Sequence, residues 1–297
     1  MGRRAGPRAE TLRPGGQVSW SGQPILGLSG EGEETSLKPV TGNRPSAPAA
    51  TSREDKLALV RRLADRLLSR FGPSVVAVGL YGSLARGADG PYSDVVGVLD
   101  HPGPVRSYEF VYRGFKVEVD LDEREALLRE AAVVDDAWPL KAGQFADMVP
   151  LYDPHGFLPE LRRVALAPSP EAVRSAIVQA FVDEPYETMG KVRNAWAGRV
   201  ELGLGYLPLA AVDLVWQTAI LLGLAHRHHY RGRPCVIPEA LTLEPLPAGY
   251  RELADLVTRG DLGDPEQVYA CVETLWAGLL GWMADLGLAF ARDDLPF

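Results

Sequence analysis

The sequence predicts an α+β protein in which a mixed sheet with flanking helices runs to about residue 168 and a helical bundle follows. Three observations carry this expectation. Short β-branched runs alternate with helical patterns before Pro168, only helix-period patterns follow it, and the first fifty residues have no period at all. At 297 residues the chain has room for one large domain or two modest ones.

Residues 1–50 are rich in Gly, Pro, Ser and Arg and lack the apolar surface to order themselves, so a disordered tail is expected. Structure begins at "TSREDKLALVRRLADRLLSRFG", where Thr51 and Glu54 have capping-box spacing and Leu57, Val60, Leu63, Leu67 and Leu68 recur with helical period. "SVVAVGLY" reads as a buried strand ending at Gly82, and "SDVVGVLD" as a second. "SYEFVYRGFKVEVDL" reads as a hairpin turning at Arg113-Gly114. Shorter helices are predicted at "EREALLREAAV", around Trp138 to Phe145, and at "GFLPELRRVAL".

From Ser169 the pattern is helical throughout. "SPEAVRSAIVQAFVDEPYETMGKVRNAWAG" is one long segment with an expected kink at Pro185. "LPLAAVDLVWQTAILLGLAHRHH" is apolar enough to lie at the centre of a bundle. "DPEQVYACVETLWAGLLGWMADLG" has Asp264 as N-cap, Pro265 at the first helical position and Gly287 as its stop.

The formal net charge of −8 argues against a nucleic-acid partner and suits a cationic or small-molecule one. Cys235 and Cys271 lie far apart and form neither a disulfide framework nor a zinc pattern, which points to reduced thiols and the cytoplasm. No secretory leader is recognisable, and no apolar run is read as reaching the roughly 18 residues that span a bilayer.

The chemistry concentrates in "GLYGSLARGADGPYSDVVGVLD". Gly82 follows a buried strand and lets the backbone approach a ligand, because it has no Cβ. Ser83 opens a short helix, where amide and hydroxyl would meet phosphate oxygens, and Arg86 would add charge at the outer phosphates. The plain alternative is a Gly-Ser turn with a surface arginine. Asp94 starts a strand, and Glu118 on "KVEVD" would add an oxygen from a neighbouring strand. Together these make the layout of a metal-dependent nucleotidyl transferase. Farther on, Asp183, Glu187, Lys191 and Asn194 recur at four- and three-residue steps, so they share one helical face. The alternative is an ordinary ion pair on a wet helix. His226, His228 and His229 in "AHRHHY" read as cationic groups at a helix end rather than a metal site.

"YGSLARGADGPYSDVVGV" resembles the active-site segment of the kanamycin nucleotidyltransferase family, aminoglycoside 4′-O-nucleotidyltransferases of the DNA-polymerase-β-like superfamily. The similarity continues through "KVEVD", "WPLKAGQF", "PLYDPHG", "GKVRN", "LLGLAHR", "LPAGY" and the final "LPF", about residues 53 to 297. The resemblance implies a nucleotidyltransferase domain over 51–168 and a helical substrate-binding and dimerisation domain over 169–297. It implies transfer of a nucleoside monophosphate from a triphosphate such as ATP to an aminoglycoside hydroxyl, with Mg²⁺ and release of pyrophosphate. By matched position, Gly82, Ser83, Arg86, Ser93 and Lys191 would bind nucleotide, and Asp94 and Glu118 would serve the metal. Glu187 would be the general base beside Lys191. Glu109, Glu118, Asp183 and Glu184 match acidic positions around the drug. A homodimer with shared active sites is implied too.

One departure stands out. The family places an acid two residues after the aspartate, and this chain has Val96 there, with no oxygen to give a hard cation. Asp100 lies about 20 Å along an extended strand, too far to replace it. Asp120, two residues after Glu118 and on the same face, is the one candidate for a shifted metal shell. The second reading is therefore a relative that binds nucleotide or aminoglycoside without turnover.

Overall fold

The computed structural model describes residues 48–92, 95–100, 106–198 and 203–295. Of the tail expected over residues 1–50, the first forty-seven lie outside the described residues, as do Ser93 and Asp94.

The first helix, α1 (Arg53–Phe71), is capped one residue later than the sequence suggests. Ser52, not Thr51, is the N-cap. Its hydroxyl accepts from the Asp55 amide at 3.1 Å and donates to the Asp55 carboxylate at 2.9 Å. Thr51 is instead tied to the body of the protein, its amide donating to the Pro91 carbonyl, while the Ala49 amide donates to Gly114.

Then come β1 (Ala77–Tyr81), the five-residue α2 (Gly82–Arg86), β2 (Val95–Asp100), β3 (Arg106–Tyr112) and β4 (Phe115–Asp122). Helices α3 (Arg124–Ala132) and α4 (Trp138–Ala146) lead to β5 (Val149–Tyr152) and α5 (Phe157–Ala165). The strands form a sheet in the order β3-β4-β2-β1-β5, in which β2 and β4 run parallel and the other neighbours antiparallel. The predicted hairpin is present. Tyr112 pairs with Phe115 across Arg113 and Gly114, whose positive φ values of 52° and 90° are those of a tight two-residue turn. Strand β5 is absent from the sequence reading, because four residues with a proline among them give no periodicity. It sits at the sheet edge, where Pro150 is tolerated.

Alternation along the strands sorts the two faces. Val78 and Leu80 of β1 and Val117, Val119 and Leu121 of β4 pack with Leu59, Val60 and Ala64 of α1. Ala77 and Tyr81 face the other way and pack with α3 and α5 through Leu127, Phe157, Leu158 and Leu161. This leaves Lys116, Glu118, Asp120 and Asp122 on the second face of β4, half-buried.

The remaining described chain is helical: α6 (Pro170–Phe181), α7 (Glu187–Trp196), α8 (Leu207–Ala225), α9 (Val236–Ala240), α10 (Tyr250–Arg259) and α11 (Pro265–Asp285). Their common core includes Leu214, Val215 and Leu222 of α8, Leu253 of α10 and Leu279 of α11, and takes in Trp138 and Ala142 from α4. By length and composition Gly203–Ala225 would suffice to cross a membrane, contrary to the sequence reading. However, 67% of its apolar window is buried inside the protein, as for a core helix surrounded by others.

At Pro185 the expected kink takes a specific form. Helices α6 and α7 are joined without a break by a π-turn over Val182–Tyr186. Proline has no N–H and its ring crowds the carbonyl one turn back, and a locally wider turn relieves both. At the far end, Asp264 caps α11 through the amides of Glu266 and Gln267, and Gly287 ends it with φ 63°.

Candidate active site

The sheet brings one set of polar groups together at the end of β1. Gly82 has φ 82°, a conformation open to glycine and strained for other residues, and it turns the chain from β1 directly into α2. Ser83 and Arg86 follow, both partly exposed. At five residues α2 is too short for a macrodipole of consequence, so any grip on an anion rests on its backbone amides and the Arg86 charge. Arg86 Nη1 lies 3.3 Å from Asp147 Oδ2, so its guanidinium is held at the end of α4.

On β4, separated from β1 by β2, Glu118 pairs directly across the hairpin with Glu109. Like charges so placed repel, and Lys116 bridges them, at 2.9 Å from Glu109 and 3.2 Å from Glu118. Those two carboxylates hold the Lys116 ammonium above its ordinary pKa. Burial raises the Glu118 carboxyl despite Lys116, aided by the charges of Asp120 and Glu109. Asp122 is pushed to about 6 by burial and by Glu130 and Asp120. Tyr81 donates its hydroxyl to Asp120 Oδ2 at 3.2 Å, and burial together with that carboxylate lifts the phenol far above its usual range.

Val96 falls in register opposite Tyr81 on β1 and beside Glu118 on β4. An acid at that position would stand next to Glu118, so the departure seen in the sequence falls within this cluster. Among the described residues no group of three His, Cys, Asp or Glu is arranged to hold a metal ion. Yet Glu118 and Asp120, two acids on one strand face with a raised Glu118 pKa, are hard oxygen donors with excess negative charge. That chemistry fits a divalent cation.

The second set lies among the helices. A cavity of about 300 Å³ is lined by Asp136, Glu184, Thr188, Lys191, Asp213 and Gln217, with Tyr206 and Trp216 as aromatic walls. Gln217 Nε2 donates to Glu184 Oε2 at 3.0 Å and to Thr188 Oγ1 at 3.1 Å. Burial raises the Glu184 carboxyl, aided by Asp136, while the Gln217 hydrogen bond works the other way. Lys191 pairs with Glu187 at 2.6 Å, and that bond raises the lysine pKa.

The long helix thus brings Glu187 and Lys191 together and puts Glu184 in the cavity wall. Asp183 does not line this cavity, and its carboxylate accepts from Gln179 Nε2 at 2.7 Å. Glu184, Thr188 and Lys191 follow one another at four- and three-residue steps and so share the face that lines the cavity. The sequence reading missed Lys116, Tyr81, Asp136, Thr188 and Gln217. Lys116 was legible, two residues from Glu118 on an alternating strand. Asp213 and Gln217 were signalled as polar residues four apart on an otherwise apolar helix. Of the histidines, His226 stands at the C-terminal end of α8, but burial and His228 lower its pKa, against the cationic role read from the sequence, and His228 is paired with Glu239 at 2.8 Å.

Two curated relatives are 35% identical to this chain over 239 residues, 80% of its length and 93% of theirs. Both are described as aminoglycoside nucleotidyltransferase (4′), one from Staphylococcus aureus and one from a Bacillus species. The chain belongs to the aminoglycoside (4′) nucleotidyltransferase family. The KNTase C-terminal domain family matches residues 155–289, the span holding the Glu187–Lys191 pair and all of the cavity lining but Asp136. A nucleotidyltransferase-like protein from Exiguobacterium sibiricum is similar over 76% of this chain and 77% of its own, at 12% identity and a TM-score of 0.48.

Proposed function

We propose that this protein transfers a nucleoside monophosphate from a nucleoside triphosphate, ATP among them, to the 4′-hydroxyl of an aminoglycoside, releasing pyrophosphate. The observation that carries the reading is the 35% identity to curated aminoglycoside (4′) nucleotidyltransferases over nearly their whole length. The helical cavity supports it. Three carboxylates, Asp136, Glu184 and Asp213, line it together with a single lysine, and that excess of negative charge suits a polycationic sugar.

In the proposed reaction Glu187 takes the proton of the sugar hydroxyl. The oxygen bonds to the α-phosphorus as the bond to pyrophosphate breaks. Lys191, 2.6 Å from Glu187, is placed to steady charge on the α-phosphate. Gly82, Ser83, Ser93 and Arg86 are assigned to the triphosphate, and Glu109, Glu118, Asp183 and Glu184 to the aminoglycoside. Asp94 and Glu118 would hold Mg²⁺, which neutralises phosphate charge when bound. The nucleotide half is assigned to residues 51–168 and the helical half to 169–297, in a cytoplasmic homodimer whose sites draw on both chains.

The test is incubation with triphosphate, Mg²⁺ and kanamycin or tobramycin, following pyrophosphate and the mass of the drug. Pyrophosphate release with a mass gain of one nucleoside monophosphate supports transfer. A second reading, binding without turnover, is favoured by one observation, the register of Val96 beside Glu118. Tight drug binding with no pyrophosphate at any metal concentration would select it.

A further inference from the structure

Lysine is almost never fully buried unless paired. Lys56 of α1 is fully buried, and its partner Asp89, in the loop after α2, has a side chain only 3% exposed. Lys56 Nζ lies 3.3 Å from Asp89 Oδ2 and donates to the Gly90 carbonyl at 2.5 Å. Arg53, one turn earlier on α1, pairs with the other Asp89 oxygen. Burial alone would raise the Asp89 carboxyl, but the hydrogen bonds from Lys56 and Arg53 outweigh it and hold it below the usual range. The next residue is tied as well, since the Pro91 carbonyl accepts from the Thr51 amide at 2.9 Å. Asp89, Gly90 and Pro91 are therefore each fastened to α1 or to the residues just before it.

This loop has a particular place in the chain. It leaves α2, which carries Ser83 and Arg86, and leads within a few residues to Ser93 and Asp94 and then to β2. An apolar pair of similar volume would hold α1 against the loop as firmly, because a buried ion pair recovers little beyond its desolvation cost. What the ion pair adds is direction: three hydrogen bonds of fixed geometry on two consecutive residues.

We propose that Lys56 and Asp89 are positioning residues for nucleotidyl transfer, fixing the backbone of the loop between the Ser83 turn and Asp94. The proposal rests on the transfer reading above. Neither residue touches substrate. They act through the loop, and a displacement of about 1 Å in a reacting constellation is enough to cost about 10²-fold in rate.

The experiment compares the wild type with K56M and with the double variant K56M/D89L. The single variant leaves Asp89 buried with Arg53 alone and should lose thermal stability. The double variant removes both charges and should recover it. Both should show kcat for pyrophosphate release lowered about 10²-fold. The dissociation constant for kanamycin, measured by calorimetry, should stay within about twofold, because the cavity is built on other elements. Hydrogen exchange over Ala88–Tyr92 should accelerate about tenfold in the double variant, as for a loop released from its tether. A double variant with wild-type stability and wild-type kcat would overturn the proposal, and so would unchanged exchange over the loop. If the double variant does not fold, D89N, which keeps the volume and removes the charge, is held to the same thresholds. A wild type that releases no pyrophosphate would sink the transfer reading instead, while faster loop exchange in the variants would still support the tether and unchanged exchange would defeat it.

Discussion

Replacing Glu187 by glutamine separates two roles that its ion pair with Lys191 would otherwise confuse. The pair is short, 2.6 Å, yet both side chains are more than half exposed, at 62% for Glu187 and 54% for Lys191. An exposed pair four residues apart on a helix contributes only about 0.3–0.5 kcal/mol. For a folded body of this size 1 kcal/mol moves the melting temperature by about 2–4 °C, so Glu187→Gln should shift it by less than about 2 °C. Its effect on the reaction should be of another order. Removing a general base commonly costs about 10²–10⁴-fold in kcat, or about 3–5 kcal/mol of barrier. The amide keeps the shape of the carboxylate, so kanamycin binding should barely change. Differential scanning calorimetry, isothermal titration and a continuous pyrophosphate assay on the same preparations give the three numbers. A variant that retains kcat within about threefold of wild type is incompatible with Glu187 as the base. One that loses several degrees of stability would show that the pair is structural, contrary to its exposure.

Other outcomes follow from the same structure. Val96→Glu should lower the Mg²⁺ concentration needed for half-maximal turnover, by about 10- to 100-fold if a missing ligand is the defect; if Asp120 already compensates, Asp120→Asn abolishes turnover and Val96→Glu changes nothing. Mixing a Ser83→Ala chain with a Glu187→Gln chain should restore activity in isolated heterodimers if sites are shared between protomers, and no recovery would count against sharing. Gly278→Ala should destabilise by about 1–3 kcal/mol or more, read from urea unfolding, because a Cβ there would lie 2.0 Å from the Ala248 carbonyl oxygen, a backbone atom with little room to move. For Glu239, burial pushes the carboxyl up, but the hydrogen bonds of Arg231 and His228 outweigh it and hold the pKa below the ordinary value of 4.5. A depressed folded-state pKa gives stability that is present above the unfolded pKa and lost as pH falls through the folded one. Melting temperature should therefore drop as pH falls below about 4.3, and Glu239→Gln should flatten that part of the curve.

The sheet half was legible wherever one face is buried and the other is not. Phe115, Val117, Val119 and Leu121 alternate with Lys116, Glu118, Asp120 and Asp122, and that period alone fixes both the strand and the face the acids share. The hairpin turn was legible from Arg113-Gly114, since glycine is the residue that takes such φ values without strain. Strand β5 was not, because Val149–Tyr152 is too short for a period and its identity comes from pairing with β1, a contact distant in sequence. The N-cap slipped by one residue because Thr51 and Ser52 have the same chemistry. The choice between them is made by the Pro91 carbonyl, which takes the Thr51 amide.

The acidic cavity shows why motif spacing locates a site sooner than it draws one. Glu184, Glu187 and Lys191 were all identified by position in the sequence, but the groups that complete the cavity come from other elements. Asp183 bonds with Gln179 one turn back, while Glu184 shares a face with Thr188 and Lys191 in the cavity wall. The carboxylate that enters is then held by Gln217 from α8 and is raised in pKa by burial and by Asp136. None of these partners is adjacent in sequence. The electrostatics of the cavity belongs to the packing of α6, α7 and α8 rather than to any one motif.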